Sequence, residues 1–460
     1  MTNDFCVVHI GIDDLDSNLG GCTTHFALHL LKAIENRVKN VILVDEPNLV
    51  RLNPSIPWKT RGNGAVAIRL AIPRDELDNL ISIAERGLNI YTKLYHTIDQ
   101  DPCIAIYIGD VCYEHCKLYR QALHDAVDPS AILDKARKEL KNLIVLSIEE
   151  KPRGIVGAIA AITWFGCEGT DFTYELLVYR TREFYGKPRC IDSESVHIFD
   201  AITRNSTFNN VDPSTGKILI APHGPDPVLY GVRGDDPAVL KQALSVIKVH
   251  EPIAGWCLFR SNQGTDDHYN IVWSINEARP FRAGLFRGVV TSRPKTLAGG
   301  HIVFTICDST SCIDVAIFKK SGLTDVARNL QVGDLVEVMG CVKPWNNVLV
   351  IHAEKIRIVR IYPRYNFKNI CPRCGAKMKS LGRGKGFRCI RCGTYVPILR
   401  RREYPLQTTA TEGLFIPPAH AQKHLVKPIE RYGREKSFRH TYRSIRIEDV
   451  AHLKEPLLFL

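Results

Sequence analysis

At 460 residues, 45% of them hydrophobic, the chain is long enough for three or four domains with cores of their own, and it holds no apolar run of eighteen residues that would span a bilayer. Its opening MTNDF leads into strand-like sequence rather than a secretory leader, so a soluble, cytoplasmic protein with no membrane partner is expected. The net charge of +12 is lopsided: 18 Lys or Arg against 4 acids put +14 on residues 371–446 and leave −2 on the rest, the footprint of a phosphate-backbone binder.

The first element is the apolar run 6–12, read as a strand. It ends in Gly11-Ile12-Asp13-Asp14-Leu15-Asp16-Ser17, which sets the carboxylates of Asp13, Asp14 and Asp16 within four positions and suggests Mg²⁺ held against nucleotide phosphates. Gly20 and Gly21 let backbone amides approach an anion, and a helix opening near Thr23 aims its N-terminal dipole the same way. The alternative is a polar loop in which Asp16 or Thr23 caps that helix. Ala27, Leu28, Leu31 and Ile34 give residues 24–34 helical spacing, and 41–44 reads as a buried strand. The tight turn Trp58-Lys59-Thr60-Arg61-Gly62-Asn63-Gly64 precedes the strand 65–70; Lys59 and Arg61 beside so pliant a backbone suit a triphosphate, a plain connection being the alternative.

Residues 73–87 and 110–140 are mainly helical in pattern. Arg153-Gly154-Ile155-Val156-Gly157 opens a second block, with a strand at 173–179, a helix at 239–247, and polar turns at 204–210, 223–227 and 230–234 that form either the wall of a site or simple connections. Strands and helices mix here without strict alternation, as in a ferredoxin-like α+β domain. From 285 to 361 five short strands (288–291, 301–307, 313–318, 335–342, 349–356), with one helical segment at 323–330 after the third, match an OB-fold β-barrel, a common single-stranded nucleic-acid module.

Cys371-Pro-Arg-Cys374, fourteen residues, then Cys389-Ile-Arg-Cys392 has the spacing of a structural zinc ribbon, with Lys377, Lys379, Arg383, Lys385 and Arg388 between the knuckles to grip RNA or DNA. The other eleven cysteines, including Cys112 with Cys116 and Cys307 with Cys312, read most simply as small buried residues, with pairing open in a hyperthermophile. After Arg400-Arg401-Arg402 the tail interleaves bases with Tyr404, Phe415, Tyr432, Phe438 and Tyr442, as though to stack on splayed bases and order on binding RNA.

Together, Gly-Ile-Asp-Asp-Leu-Asp-Ser at 11–17, Gly-Gly-Cys-Thr-Thr at 20–24, Arg-Gly-Asn-Gly-Ala at 61–65, Arg-Gly-Ile-Val-Gly at 153–157, Thr-Phe-Asn-Asn at 207–210, Gly-Pro-Asp-Pro at 224–227 and the stretch from Gly255-Trp256 to Asp266 resemble the archaeal 2-agmatinylcytidine (agmatidine) synthetases, which modify the wobble cytidine of an isoleucine tRNA. The resemblance covers essentially the whole chain and implies a multidomain α+β protein: an N-terminal α/β kinase-like domain over 1–140, a ferredoxin-like α+β domain over 141–283, the OB-fold over 284–362, the zinc ribbon over 363–398 and a basic C-terminal segment over 399–460. It further implies an ATP-dependent ligase that phosphorylates the cytosine C2 oxygen and lets the co-substrate agmatine displace it, shifting codon reading to AUA and ending with AMP and two phosphates.

On that resemblance Asp13, Asp14 and Asp16 hold Mg²⁺, and Thr23 aligns with a threonine the family autophosphorylates. Gly20, Gly21, Lys59, Arg61, Asn63 and Gly64 cradle ATP, with His223 and Arg233 from the same pocket; Trp256, Arg260, Asn262 and Gln263 meet the anticodon stem-loop or line the active site. The tRNA is held by its anticodon stem-loop and acceptor region, and no obligate protein partner is implied. Leu15 departs from the threonine more usual there. The competing readings are a non-catalytic OB-fold and zinc-ribbon nucleic-acid binder, or another ATP-dependent RNA enzyme built from the same modules.

Overall fold

A computed structural model describes residues 4–363, 365–399, 402–405 and 411–459, with strands Tyr365–Lys368 and Arg402–Pro405 described by backbone alone. Residues 4–270 build a single mixed sheet of ten strands in chain order: β1 Phe5–Asp13, β2 Ile42–Leu43, β3 Asn48–Arg51, β4 Gly64–Pro73, β5 Cys103–Ile108, β6 Leu143–Ser147, β7 Thr173–Arg180, β8 Thr207–Phe208, β9 Val228–Gly234 and β10 Ile253–Ser261. Their lateral order is β6-β5-β1-β4-β3-β10-β7-β9-β8, with β2 also on β4. All neighbours are antiparallel except β3 and β10, whose short parallel contact (Arg260 opposite Asn48, Ser261 opposite Leu49) fuses the two halves.

Helices α1 Thr23–Arg37 and α2 Leu77–Tyr95 cover one face of the first half; α3 Cys116–His124, α4 Pro129–Glu139 and α5 Ile155–Thr163 cover the other. The alternation of β1 explains this arrangement. Val8, Ile10 and Ile12 point into the core shared with α1, whereas Gly11 lies against α5 so closely that a Cβ there would stand 2.1 Å from the Ala158 carbonyl oxygen. Glycine is required by that close approach.

The five OB strands are Ala283–Val290, Ile302–Cys307, Cys312–Ile317, Leu335–Trp345 and Val348–Arg360, and the first pairs with both the fourth and the second, closing the barrel. The third pairs in parallel with the fifth, and the helix Thr324–Arg328 falls after the third, as the sequence predicts. No helix among the described residues is long and apolar enough to cross a membrane.

Three expectations are corrected. The stretch 230–234 is no turn; it is most of β9, and its Val232 and Tyr230 are core residues, the glycines at 231 and 234 being excluded from larger side chains by Leu177 and by the Ser206 carbonyl. Cysteines 116 and 167 form a disulfide, as do 307 and 312, while Cys112 is free and exposed.

The basic tail is a strap built into the body rather than a free RNA arm. Phe415 extends the barrel sheet beside Ile356, Phe438 is buried against Trp164, Phe165 and Phe172, and the strand Ala451–Leu453 adds to β10. Two of its bases find acids far back in the chain: Arg431 pairs with Asp171 and Asp235, and Arg443 with Glu46, each at 2.9 Å. A buried cation such as Arg431 is tolerated only when so paired, whereas Arg443 keeps more than half of its side chain in solvent. Arg400 and Arg401 lie outside the described residues, and the Tyr404 side chain with them.

Candidate functional site

A cavity of ≈ 620 Å³ opens between the two halves of the main sheet and is roofed by the strap. Asp16, Thr23, Lys59, Arg61 and Gly64 line it from the first half, Glu175, His223, Asp226, Arg233 and Gln263 from the second, and Lys423 and His424 from the strap. A smaller cavity of ≈ 70 Å³ adjoins it, lined by Asp13, Asp14, Thr60, Asn63, Asp125, Arg153 and Gly157; Lys59 and Leu52 face both.

The three acids therefore divide. Strand parity puts Asp13 on the α5 side, with its Oδ2 where a Cβ on Gly157 would come within 1.9 Å. Burial, then the neighbouring Asp14 and Asp16 charges, pushes its carboxyl well above the usual range. Asp14 leaves the strand in the left-handed region (φ 61°) and accepts the Asp101 amide at 2.9 Å; burial raises it too, against that bond and Arg153. Asp16 turns back to accept the Thr23 amide at 2.9 Å at the start of α1. The ligand oxygens of all three do not gather within 4.8 Å, so a single three-carboxylate metal site is not formed; Asp13 and Asp14 are the pair that face one space.

Thr23 is 2% exposed, its Oγ1 accepting the Leu15 amide at 3.3 Å, at the cavity wall. Gly20 and Gly21 do not line the cavity. The Gly21 amide is taken by Ser17 Oγ at 2.9 Å, and a Cβ at 21 would meet the Leu15 carbonyl at 2.5 Å, so close packing rather than an open phosphate nest demands glycine there. Leu15 is buried in the core and faces neither cavity.

The turn at 61–64 holds Arg61 and Asn63 at positive φ (39° and 48°). Glycines 62 and 64 sit beneath the Arg51 guanidinium, 2.7 and 2.8 Å from where a Cβ would be. Arg61 donates to the Ser17 carbonyl at 2.8 Å and reaches Asp16 (3.8 Å) and Asp226 (3.6 Å), tying the two halves together. Glu175, 1% exposed, accepts Arg51 at 3.4 Å and Arg233 at 2.9 Å. Burial lowers the Lys59 ammonium, and the positive charges of Lys423, Lys343 and Arg51 lower it further. His424 is held well below its ordinary value by burial and by Arg51, Arg233 and Lys59. Such mutual repulsion of cations around one cavity is relieved by a polyanion.

Of the residues assigned to RNA, Arg260 and Asn262 are interior and Gln263 faces the cavity. Arg260 is 1% exposed, pairs with Asp45 at 2.6 Å and lies 3.9 Å over the Phe438 ring; Asn262 is fully buried and brackets the Arg51 backbone, accepting its N–H at 2.7 Å and donating to its carbonyl at 2.9 Å. They set the sheet junction and Arg51 rather than touching a nucleic acid. Gln263 lines the cavity, donating to Glu175 and sharing 2.8 Å with His424. Arg51, Glu175, Lys423 and His424 went unread in the sequence, because nothing in one dimension ties residue 424 to the turn at 61.

In the ribbon, the Sγ atoms of Cys371 and Cys392 lie 3.6 Å apart and those of Cys374 and Cys389 3.5 Å, close to the ~3.8 Å edge of a tetrahedral Zn–thiolate site. The Arg391 and Cys392 amides donate to Cys389 Sγ at 3.4 Å, so these residues fit a zinc ion. Lys377, Lys379, Arg383, Lys385 and Arg388 are all exposed on its surface.

The sequence matches the TiaS TCKD domain over residues 9–111, the TiaS FLD domain over 152–268, an OB-fold nucleic acid binding domain over 285–359 and the TiaS C-terminal zinc ribbon domain over 368–402. The isoleucine-tRNA 2-agmatinylcytidine synthetase TiaS of Ignisphaera aggregans is 44% identical, covering 96% of each chain, and that of Staphylothermus marinus 39%, covering 94% of this chain and 95% of the other. The crystal structure of TiaS in complex with its isoleucine tRNA and ATP superposes with a TM-score of 0.79 at 32% identity over 93% of this chain and 97% of that one; a TiaS complex with the tRNA, AMPCPP and agmatine gives 0.76 at 30% over 93% and 97%. With four domain models matched in order over residues 9–402 and a relative 44% identical over 96% of each chain, the chain belongs to the TiaS family of isoleucine-tRNA 2-agmatinylcytidine synthetases.

Proposed function

We propose that this chain is an ATP-dependent tRNA ligase of the cytoplasm that joins agmatine to C2 of the wobble cytidine of isoleucine tRNA. The observation that carries this reading is the cation-walled cavity: Arg51, Lys59, Arg61, Arg233 and Lys423 crowd a space whose wall includes the Thr23 hydroxyl. Glu175, Asp16 and Asp226 offset part of this charge, and a triphosphate would neutralise the remainder. Lys59 faces both cavities, so the acidic pair lies next to the end of that anion.

Asp13 and Asp14 are the residues to hold Mg²⁺, which takes one or two carboxylates with phosphate oxygens and water; bound there it would neutralise charge on the transferring phosphoryl group. Two crowded, buried carboxylates with raised pKa values are the donor set that gains most from a cation. Asp16 holds Thr23 through its amide and so orients the hydroxyl that accepts a phosphoryl group. Phosphoryl transfer to the cytosine C2 oxygen makes it a leaving group, the agmatine amine attacks C2, and phosphate departs with that oxygen. The exposed ribbon bases and the OB-fold hold the tRNA backbone, supplying affinity rather than base discrimination.

Incubation with γ-labelled ATP, agmatine and total tRNA tests the reading. Agmatine incorporated into one tRNA, dependent on ATP and lost in Asp13→Asn, is expected; absence of both incorporated agmatine and labelled protein would overturn it.

A further inference from the structure

Away from the cavity, on the first two turns of α1, His25 and His29 stand one turn apart, both buried (1% and 0% side-chain exposure), and Glu455 reaches them from the end of the strap. We propose that His25, His29 and Glu455 form a second metal site, for a zinc-class divalent ion that staples the C-terminal strap to the helix that begins at Thr23.

The geometry carries the proposal. Nε2 of His25 and Nε2 of His29 are 3.1 Å apart, and Glu455 Oε1 lies 3.7 and 3.5 Å from them. A tetrahedral ion with ligands at ~2.1 Å separates them by about 3.4 Å, the middle of that range. The Tyr185 hydroxyl, 3.4 Å from His25 Nε2, stands beside the same point and leaves a fourth position for itself or for water. Behind it, His25 Nδ1 meets the Tyr91 hydroxyl at 3.2 Å, and Tyr91 is fixed by the Cys22 amide at 2.9 Å, the outer partner that orients a ligating imidazole. The Leu458 amide approaches His29 Nδ1 at 3.4 Å. Ligation through Nε2 puts the ring proton on Nδ1, so the long Leu458 contact yields when the ion binds.

The consequence is mechanical. Phe459 packs on Phe26 and over Gly87, and the strand Ala451–Leu453 pairs with β10, so an ion at Glu455 locks the last segment between the two halves that form the cavity.

Zinc content of the full chain, measured by plasma mass spectrometry after dialysis against buffered zinc, tests this. Two zinc per chain are expected in the wild type, one in Glu455→Ala and in His29→Ala, and one in the ribbon variant carrying Cys371→Ser with Cys389→Ser. The ribbon variant loaded with cobalt should show ligand-field absorption without a thiolate charge-transfer band. One zinc in the wild type, all of it lost with the ribbon cysteines, overturns the site, as does cobalt absorption in the ribbon variant that Glu455→Ala leaves unchanged.

Discussion

Replacing Gly157 by alanine separates the catalytic arrangement of the acids from the stability of the fold. The new Cβ would lie 1.9 Å from Asp13 Oδ2, 2.6 Å from its Cγ and 3.1 Å from Ala65 Cβ. Ordinary contact is ~3.5 Å, so the Asp13 carboxylate must retreat by roughly 1.5 Å. Alanine returns ~1 kcal/mol of helix propensity to α5, and overpacking costs ~1–3 kcal/mol, which leaves a net stability loss of about 0–2 kcal/mol. Displacing a catalytic group by ~1 Å costs on the order of 10²-fold in rate. Single-turnover agmatine incorporation should therefore fall about a hundredfold while the melting temperature moves only modestly. Gly166→Ala is the control: its Cβ would meet the Cys112 carbonyl oxygen at 2.1 Å, an overpacking at least as severe but away from the acids, and turnover per folded molecule should stay near wild type. Turnover by Gly157→Ala within about threefold of wild type would refute the assignment of Asp13 to the chemistry.

Asp14→Asn should abolish turnover with tRNA affinity unchanged, because asparagine tolerates φ 61° and can still accept the Asp101 amide; equal loss of both in a filter-binding and incorporation comparison would make the acid structural. Burial pushes the Glu354 carboxyl up, but Lys423 and His268 outweigh it and hold it well below the usual range, so its contribution is present above the ordinary value of ~4.3 and lost as pH falls through the lower folded value. Lys423→Gln leaves that buried charge under-compensated, at a cost of about 3 kcal/mol near neutrality, and the gap to wild type should narrow as pH falls and Glu354 is protonated; a gap constant with pH in melting curves would contradict this. Serine at Cys371 and Cys389 should weaken tRNA binding and flatten its salt dependence without touching labelling of the protein by γ-labelled ATP; an unchanged salt slope would remove the ribbon bases from the phosphate contacts.

Where chemistry or packing is local, the sequence alone determined the outcome. The ribbon was legible because four thiolates need a fixed spacing, and the OB strands because one buried face imposes period-two alternation over 283–360. The opening acids and the 61–64 turn were legible as one polar neighbourhood, and they do line the two adjoining cavities. Only the tertiary structure decided how these parts meet. Strand parity and a left-handed Asp14 sent Asp13 and Asp14 to one cavity and Asp16 to the other. The β3–β10 junction buried Arg260 and Asn262, which read as contacts to the anticodon stem-loop or as active-site lining because charge and polarity alone do not reveal a distant partner such as Asp45 or the Arg51 backbone. The tail looked like an RNA arm for the same reason: Arg431 and Arg443 are neutralised by acids more than 190 residues away, pairings that exist only once the chain has folded back, and for Arg431 burial of the charge is conditional on its partners.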